Sequence, residues 1–270
     1  MFKHGIVGVD FSEGWQNAEP QLPPLLKLLG TERLTLVAVD EIHRWQHEGD
    51  DEKANREVSL RQLAVELQGR YQIPVDHQVR HGFPASELVA AASELHGDVI
   101  VVGNSSHSVY RDFILGNVTL NLARMAQLPV LILPVDAKPV TEGAPLLLAT
   151  DSSKAASRAE NCFKALVQGV PGGQVLMVTH GHGEAASPAE QSQAEALAES
   201  LGEKVGFSPL QGDPGTEITA YARDHGARLV ILGKRGKTDM RELPLGSTAE
   251  TVCRLAVTPL LLVPQRIVNR

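Results

Sequence analysis

The chain has 270 residues, a length typical of two domains or one large one at roughly 150 residues per domain. Apolar residues make up 43% of the sequence, which excludes general disorder, and the net charge of −7 argues against a protein that coats nucleic acid through a basic face. No run reaches the roughly 18 apolar residues of a membrane span, and the apolar run at 5–9 ends at Asp10, too early for a signal peptide. We therefore expect a cytoplasmic protein with no membrane or nucleic-acid partner.

Short apolar, β-branched runs predict five strands in the first half of the chain. In chain order they lie at 6–9, 34–39, 75–79, 99–102 and 130–133. Longer stretches of helical composition separate these runs. The polar segment 43–53 predicts either a loop or the extended start of a helix.

The second half shows the same alternation. Predicted strands lie at 146–150, 175–178, 207–210, 229–232 and 260–263. Predicted helices lie at 153–168, with Ser152 or Ser153 as the N-cap, at 189–204, at 214–226 and at 247–256. In the third of these helices Pro214 occupies the first turn and Gly226 ends it, the usual order of the two residues.

The two halves are copies of one pattern. Gly82-Phe83-Pro84 matches Gly212-Asp213-Pro214 at an offset of 130, which continues through Pro134 and Pro264. Near the start of each half Asp10 matches Asp151 at an offset of 141, so the first half holds about 11 extra residues between these two blocks, and the polar segment 43–53 is their expected place. A repeat of this length predicts two domains, over 1–140 and 141–270.

Continuous apolar strands that alternate with helices predict an α/β fold. We expect two tandem doubly wound domains, each a five-stranded parallel sheet with helices on both faces. Ligands of such sheets bind at the carboxyl ends of the strands, where the strand order reverses. The last strand of each half is apolar and bracketed by prolines, and an apolar edge invites aggregation unless it is covered. We therefore predict that these two edges pair or pack on each other.

A glycine-rich loop follows the fourth strand of the second half. It reads Gly233-Lys234-Arg235-Gly236, then nine residues, then Gly246-Ser247-Thr248 at the start of the last helix. Amides at a helix start, with glycines that let the backbone approach closely, favour phosphate. The cations Lys234, Arg235 and Lys237 add charge for a polyphosphate, and the hydroxyls of Ser247 and Thr248 suit phosphate or a metal ion. An ordinary turn with a capped helix remains the structural alternative.

This spacing resembles the ATP-binding signature of the universal stress protein family. The resemblance covers nearly the whole chain twice, since each half also has the family's Asp after the first strand and its closing strand. It implies a tandem protein with an adenine nucleotide alpha hydrolase-like fold, which binds ATP, with or without Mg²⁺, and acts as a nucleotide-dependent regulator of the stress response. It assigns adenosine to Ala149, Thr150, Asp151 and Val178, and the phosphates to Gly233, Gly236, Gly246, Ser247 and Thr248.

The first half departs from the pattern. Its loop reads Gly103-Asn104-Ser105-Ser106, then nine residues, then Gly116-Asn117, so it lacks the second glycine, the Ser/Thr and the cations. With Asp10 and Val39, these residues form a degenerate site: Gly103, Ser106, Gly116 and Asn117. The net charge is −6 over residues 1–140 (12 basic, 18 acidic) and −1 over 141–270 (13 basic, 14 acidic). We therefore expect a polyanion to prefer the second half.

Other chemistries have less support. The chain has no Walker lysine motif and no dinucleotide-binding GxGxxG motif. His43 with His47, and His180 with His182, lack further ligands at metal-site spacing, and we expect the buried-core role for Cys162 and Cys253. Two alternatives stay open, a slow ATPase or autophosphorylating enzyme that uses Ser247 or Thr248, and a module that binds another ligand or holds a homodimer together.

Overall fold

Ten strands form one continuous sheet in the computed structural model, which describes residues 1–41, 50–104, 118–135, 143–180, 186–237 and 244–265. The strands are β1 (His4–Val9), β2 (Arg33–Asp40), β3 (Val75–His81), β4 (Val99–Asn104), β5 (Val130–Pro134), β6 (Leu146–Ala149), β7 (Gly173–His180), β8 (Val205–Gln211), β9 (Leu229–Gly233) and β10 (Leu260–Val263). Their order across the sheet is β3-β2-β1-β4-β5-β10-β9-β6-β7-β8. All ten overlap the predicted strands.

Helices cover both faces of the sheet. They are α1 (Glu13–Ala18), α2 (Leu22–Leu29), α3 (Asp50–Tyr71), α4 (Pro84–Glu94), α5 (Val118–Met125), α6 (Ser157–Leu166), α7 (Pro188–Glu199), α8 (Pro214–Asp224) and α9 (Ser247–Leu255). One apolar core lies under α1, α2, α3, α6 and α7, and a second lies under α4, α5, α8 and α9. This is the doubly wound α/β arrangement that the sequence predicts. Within the described ranges, no helix is both long and apolar enough to cross a bilayer.

The two halves join through their last strands. β5 and β10 pair antiparallel over three residues each, with Leu262 opposite Val130 and Leu260 opposite Ile132. Pro134 ends β5 and Pro264 follows β10, and proline has no N–H with which to extend the ladder. The predicted pairing of the two proline-bracketed strands is confirmed, and it places both of them inside the sheet.

The strand order of each half reverses at one point, between β1 and β4 and between β6 and β9. Ala149 near the end of β6 lies beside Leu232 near the end of β9. The segments that follow these strands therefore emerge side by side at the carboxyl edge of the second half. This is the position where doubly wound sheets bind ligands.

Two helices of the second half differ from their predicted bounds. The helix predicted from 153 begins only at Ser157, because Ser153 caps a preceding turn, where its Oγ accepts from the Ala156 N–H at 3.3 Å. The helix predicted to reach 204 ends at Glu199, since Gly202 adopts a left-handed φ of 85° that a helix cannot continue.

Candidate functional site

The carboxylate of Asp151 joins the end of β6 to the glycine loop. Its Oδ1 accepts from the Ser153 N–H at 3.0 Å, which forms a local Asx turn. Its Oδ2 accepts from the Lys237 N–H at 2.7 Å. Asp151, predicted to bind ribose, thus lies at the loop and also holds the loop in place.

A left-handed residue follows this aspartate in both halves. Ser152 has a φ of 54°, and Phe11, which follows Asp10, has a φ of 56°. Residues other than glycine adopt this conformation at a cost and do so disproportionately at binding sites. Both halves therefore retain the same strained corner at the carboxyl end of their first strand.

The three glycines of the motif lie where backbone or carboxylate comes close. A Cβ on Gly236 would stand 2.4 Å from Asp151 Oδ2, and one on Gly233 would stand 3.1 Å from the Arg235 carbonyl oxygen. A Cβ on Gly246 would contact the Lys234 carbonyl oxygen at 3.4 Å. A side chain on Gly246 would therefore enter the space between the two parts of the loop, whereas one on Gly236 would meet Asp151 and one on Gly233 would meet the turn before α6.

Helix α9 starts inside this loop without a side-chain cap. Gly246 is its N-cap, and the Gly246 N–H donates to the Lys234 carbonyl at 2.9 Å. The Glu250 N–H donates to the Gly246 carbonyl at 2.9 Å, as the first hydrogen bond of the helix. Ser247 is exposed and Thr248 is half-buried. The amides of this first turn carry the positive end of the helix dipole, which attracts anions.

The three predicted phosphate-binding cations have different surroundings. Lys234 is buried, and its ammonium donates to main-chain carbonyls of the first half, so it is directed away from the crevice that the sequence predicted for it. Lys237 is paired with Glu190 at the start of α7. The half-buried Arg235 makes no side-chain hydrogen bond or ion pair within the described part of the chain.

Glu190 is an ionised carboxylate that competes with a phosphate group for Lys237. The Lys237 ammonium and the Ser187 N–H, which donates at 2.7 Å, lower the pKa of Glu190 to about 2. The carboxylate therefore stays charged at neutral pH. A polyphosphate that recruits Lys237 has to displace this partner.

The predicted adenosine side lies at the ends of β6 and β7. Ala149 is buried, and Val178 on β7 is half-buried against the core beneath α8 and α9. The Thr150 hydroxyl donates to Glu160 Oε1 on α6 at 2.6 Å. Thr150 thus orients the turn that carries Asp151, and its hydroxyl is already engaged.

In the first half, Asp10 forms the same Asx turn through Ser12, whose N–H and Oγ donate to Asp10 Oδ1 at 3.0 and 2.7 Å. Val39 is half-buried, and the carbonyl of Gly103 accepts from the Thr119 hydroxyl at 3.1 Å. Three predicted residues of the degenerate site lie outside the described residues: Ser106, Gly116 and Asn117.

The described cysteines are core residues, as predicted. Cys162 and Cys253 are both buried, and burial raises the pKa of each thiol to about 12. At neutral pH neither thiol is a ready nucleophile, since the thiolate is the reactive form. His43, His47 and His182 lie outside the described residues.

Sequence reasoning missed Glu190, Glu160 and the first-half carbonyl of Ala126. Glu190 could have been found, because Ser187 and Glu190 form a capping box whose spacing is visible in the sequence. Glu160 lies ten residues after its partner on a separate element. The carbonyl of Ala126 lies 108 residues from Lys234, and only the joining of the two halves brings them together.

Curated relatives share parts of this chain. A universal stress protein of Methanocaldococcus jannaschii is 37% identical over 71 residues, which is 26% of this chain and 42% of that protein. A universal stress protein of Synechocystis is 25% identical over 246 residues, 86% of this chain and 79% of that protein. The chain therefore spans less than half the length of the Methanocaldococcus relative and most of the Synechocystis one.

A solved structure and a family model cover both halves. The crystal structure of a universal stress protein from Archaeoglobus fulgidus matches with a TM-score of 0.78 at 20% identity, over 97% of this chain and 96% of that one. This likeness shows the shared fold. The model of the universal stress protein family matches residues 1–134 and again residues 145–264. The chain therefore belongs to the universal stress protein family, with two copies of its domain in tandem.

Proposed function

We propose that the second half binds ATP and that its occupancy regulates the protein's interactions in a stress response. The observation that carries the proposal is the start of α9, which has no side-chain cap and lies against the Gly233–Gly236 turn at the switch point of the sheet. Backbone amides and a helix dipole directed at one crevice favour phosphate. The motif's similarity to the family's ATP-binding signature favours a nucleotide over free phosphate.

The residues of the crevice fit the phosphates. A Cβ on Gly246 would point towards the Lys234 carbonyl and the Arg235 Cα. Glycine leaves this space open as a cradle, which a larger side chain would fill. Arg235 supplies a cation without a competing carboxylate among the described residues, and Ser247 supplies an exposed hydroxyl. Asp151 lies at the neighbouring strand end, where a carboxylate accepts hydrogen bonds from ribose hydroxyls.

The two halves are unequal in this proposal. The first half keeps the aspartate turn but has Ser106 and Asn117 in the matching loop, and no lysine or arginine at the positions that match Lys234, Arg235 and Lys237. Its net charge of −6 opposes a polyanion, whereas the second half is close to neutral. A cytoplasmic location suits both the ATP ligand and two thiols that remain unpaired.

Calorimetry on the full chain tests the proposal with a matched pair of variants. Gly246→Val places a branched side chain in the cradle and is expected to abolish ATP binding, while Gly116→Val, at the matching position of the first half, leaves it unchanged. The wild-type chain is expected to bind one ATP. Two equivalent sites per chain, or equal losses in the two variants, would contradict the assignment to the second half.

A further inference from the structure

The ammonium of Lys234 crosses from the nucleotide loop into the other half. Lys234 is 6% exposed, and its Nζ donates to the Ala126 carbonyl at 2.6 Å and to the Arg124 carbonyl at 3.3 Å. Both acceptors lie at the carboxyl-terminal end of α5. Free carbonyls at such an end carry partial negative charge and bind cations favourably.

The antiparallel joint explains why α5 reaches this site. Val130, the first residue of β5, stands opposite Leu262, near the end of β10. The turn from α5 into β5 therefore lies at the same edge of the sheet as the end of β9, where the glycine loop begins. A parallel joint would have placed this turn at the opposite edge.

The backbone of Lys234 connects the two parts of the glycine loop. Its N–H donates to the Val263 carbonyl at 3.0 Å, and its carbonyl accepts from the Gly246 N–H at 2.9 Å. The position of Lys234 thus sets the spacing between the Gly233–Gly236 turn and the start of α9. Its side chain and backbone together link α5, β10 and α9.

An ammonium inside a protein is unfavourable unless it is well paired. No carboxylate forms an ion pair with Lys234 among the described residues, and burial lowers the pKa of its ammonium to about 8. In the first half the matching position holds Asn104, a short neutral side chain. The first half therefore has no ammonium at this position with which to make the reciprocal contact.

We propose that Lys234 is a positioning residue that couples phosphate binding in the second half to the end of α5 in the first half. The inference rests on the proposed function of the second half, because phosphate on the neighbouring amides would hold the Lys234 backbone in place. Lys234 itself does not touch the nucleotide. By linkage, an ordered α5 end raises ATP affinity, and bound ATP orders the α5 end.

Hydrogen–deuterium exchange on the full chain, with and without saturating ATP, tests the coupling. ATP is expected to slow exchange at residues 118–126 of the first half as well as at 244–249 beside the nucleotide. In Lys234→Met, saturating ATP should protect 244–249 but not 118–126, and ATP affinity should fall about tenfold, or about 1.4 kcal/mol. Arg124→Gln is the matched control, since it removes the ion pair with Glu250 at 3.0 Å but keeps the Arg124 carbonyl.

The salt dependence of ATP affinity separates positioning from direct contact. Loss of a cation that binds phosphate makes ATP affinity depend less on the salt concentration between about 50 and 300 mM. Loss of a positioning residue leaves this dependence unchanged. If wild-type protein binds no ATP, both the proposed function and the coupling fail. If it binds ATP without protection of 118–126, or if Arg124→Gln removes that protection as Lys234→Met does, the coupling through Lys234 alone is refuted. The wild-type exchange experiment decides even where Lys234→Met does not fold.

Discussion

Gly236→Ala tests the contact between the glycine loop and Asp151. The added Cβ would lie 2.4 Å from Asp151 Oδ2, the atom that accepts from the Lys237 N–H at 2.7 Å. Because non-bonded heavy atoms settle near 3.5 Å, one of the two groups must move by about 1 Å. A shift of that size takes the amide and carboxylate out of hydrogen-bond range.

The expected cost follows from that one bond. A hydrogen bond to a charged group contributes about 1.5–3 kcal/mol, and the exposed position of this one favours the lower end. Alanine returns about 0.4–1 kcal/mol by restricting the unfolded chain, since Gly236 does not have a left-handed φ. The net loss in the free energy of unfolding is about 1 kcal/mol, which lowers the melting temperature by about 2–4 °C.

Thermal unfolding of four proteins measures this cost. They are the wild type, Gly236→Ala, Asp151→Ala and the double variant, and the cycle isolates the contact between the two residues. In the Asp151→Ala background the added methyl group has no carboxylate to displace, so Gly236→Ala should there raise the free energy of unfolding by about 0.4–1 kcal/mol. Gly169→Ala is the control, because its Cβ meets no atom within 4 Å. An equal cost of Gly236→Ala in both backgrounds would refute the reasoning.

Three further predictions follow from described contacts. Glu190→Gln should raise ATP affinity several-fold in calorimetry, with adenosine affinity unchanged, because it releases Lys237; equal affinities for ATP in variant and wild type would contradict this. Burial and the neighbouring Arg33 lower the pKa of His4, so below about pH 6.5 the unfolded chain takes up a proton that the folded chain does not, and stability falls. The stability advantage of the wild type over His4→Gln in denaturant unfolding should therefore shrink from pH 7.5 to pH 5, and a constant difference would oppose it. Gly69→Ala, in α3 with open space around its Cβ, should stabilise the chain by about 0.5–1 kcal/mol in the same assay, and a loss would show an unseen constraint.

Periodicity and composition were sufficient for the architecture. The apolar runs predicted the eight inner strands, because strands buried on both faces have few polar residues to obscure them. The two outer strands, β3 and β8, are only partly buried and were predicted from their place in the repeated order. The proline brackets and the apolar edge predicted the pairing of β5 with β10. Helix ends were less accurate, as at Ser157 and Glu199, since turn geometry and a single left-handed glycine decided them.

The sequence predicted the relative positions of the loop glycines, but not the partners of the neighbouring lysines. Glycine spacing reflects backbone geometry that is local in sequence, and the structure brings Gly233, Gly236 and Gly246 together as expected. The direction of a lysine side chain depends on partners that are distant in sequence. The ammonium of Lys234 donates to carbonyls of the first half, and Lys237 pairs with Glu190. The residues next to each lysine in the sequence do not specify these partners.

Because the strands joined at β5 and β10 belong to one polypeptide, the two halves can also change independently in evolution. In a homodimer any substitution appears on both sides of the two-fold axis, so a loop cannot change in one subunit alone. Here the paired strands belong to one polypeptide, which keeps both halves at equal stoichiometry and prevents their separation on dilution. One copy can therefore hold Asn104 while the other holds Lys234, so the two loops can differ within one molecule.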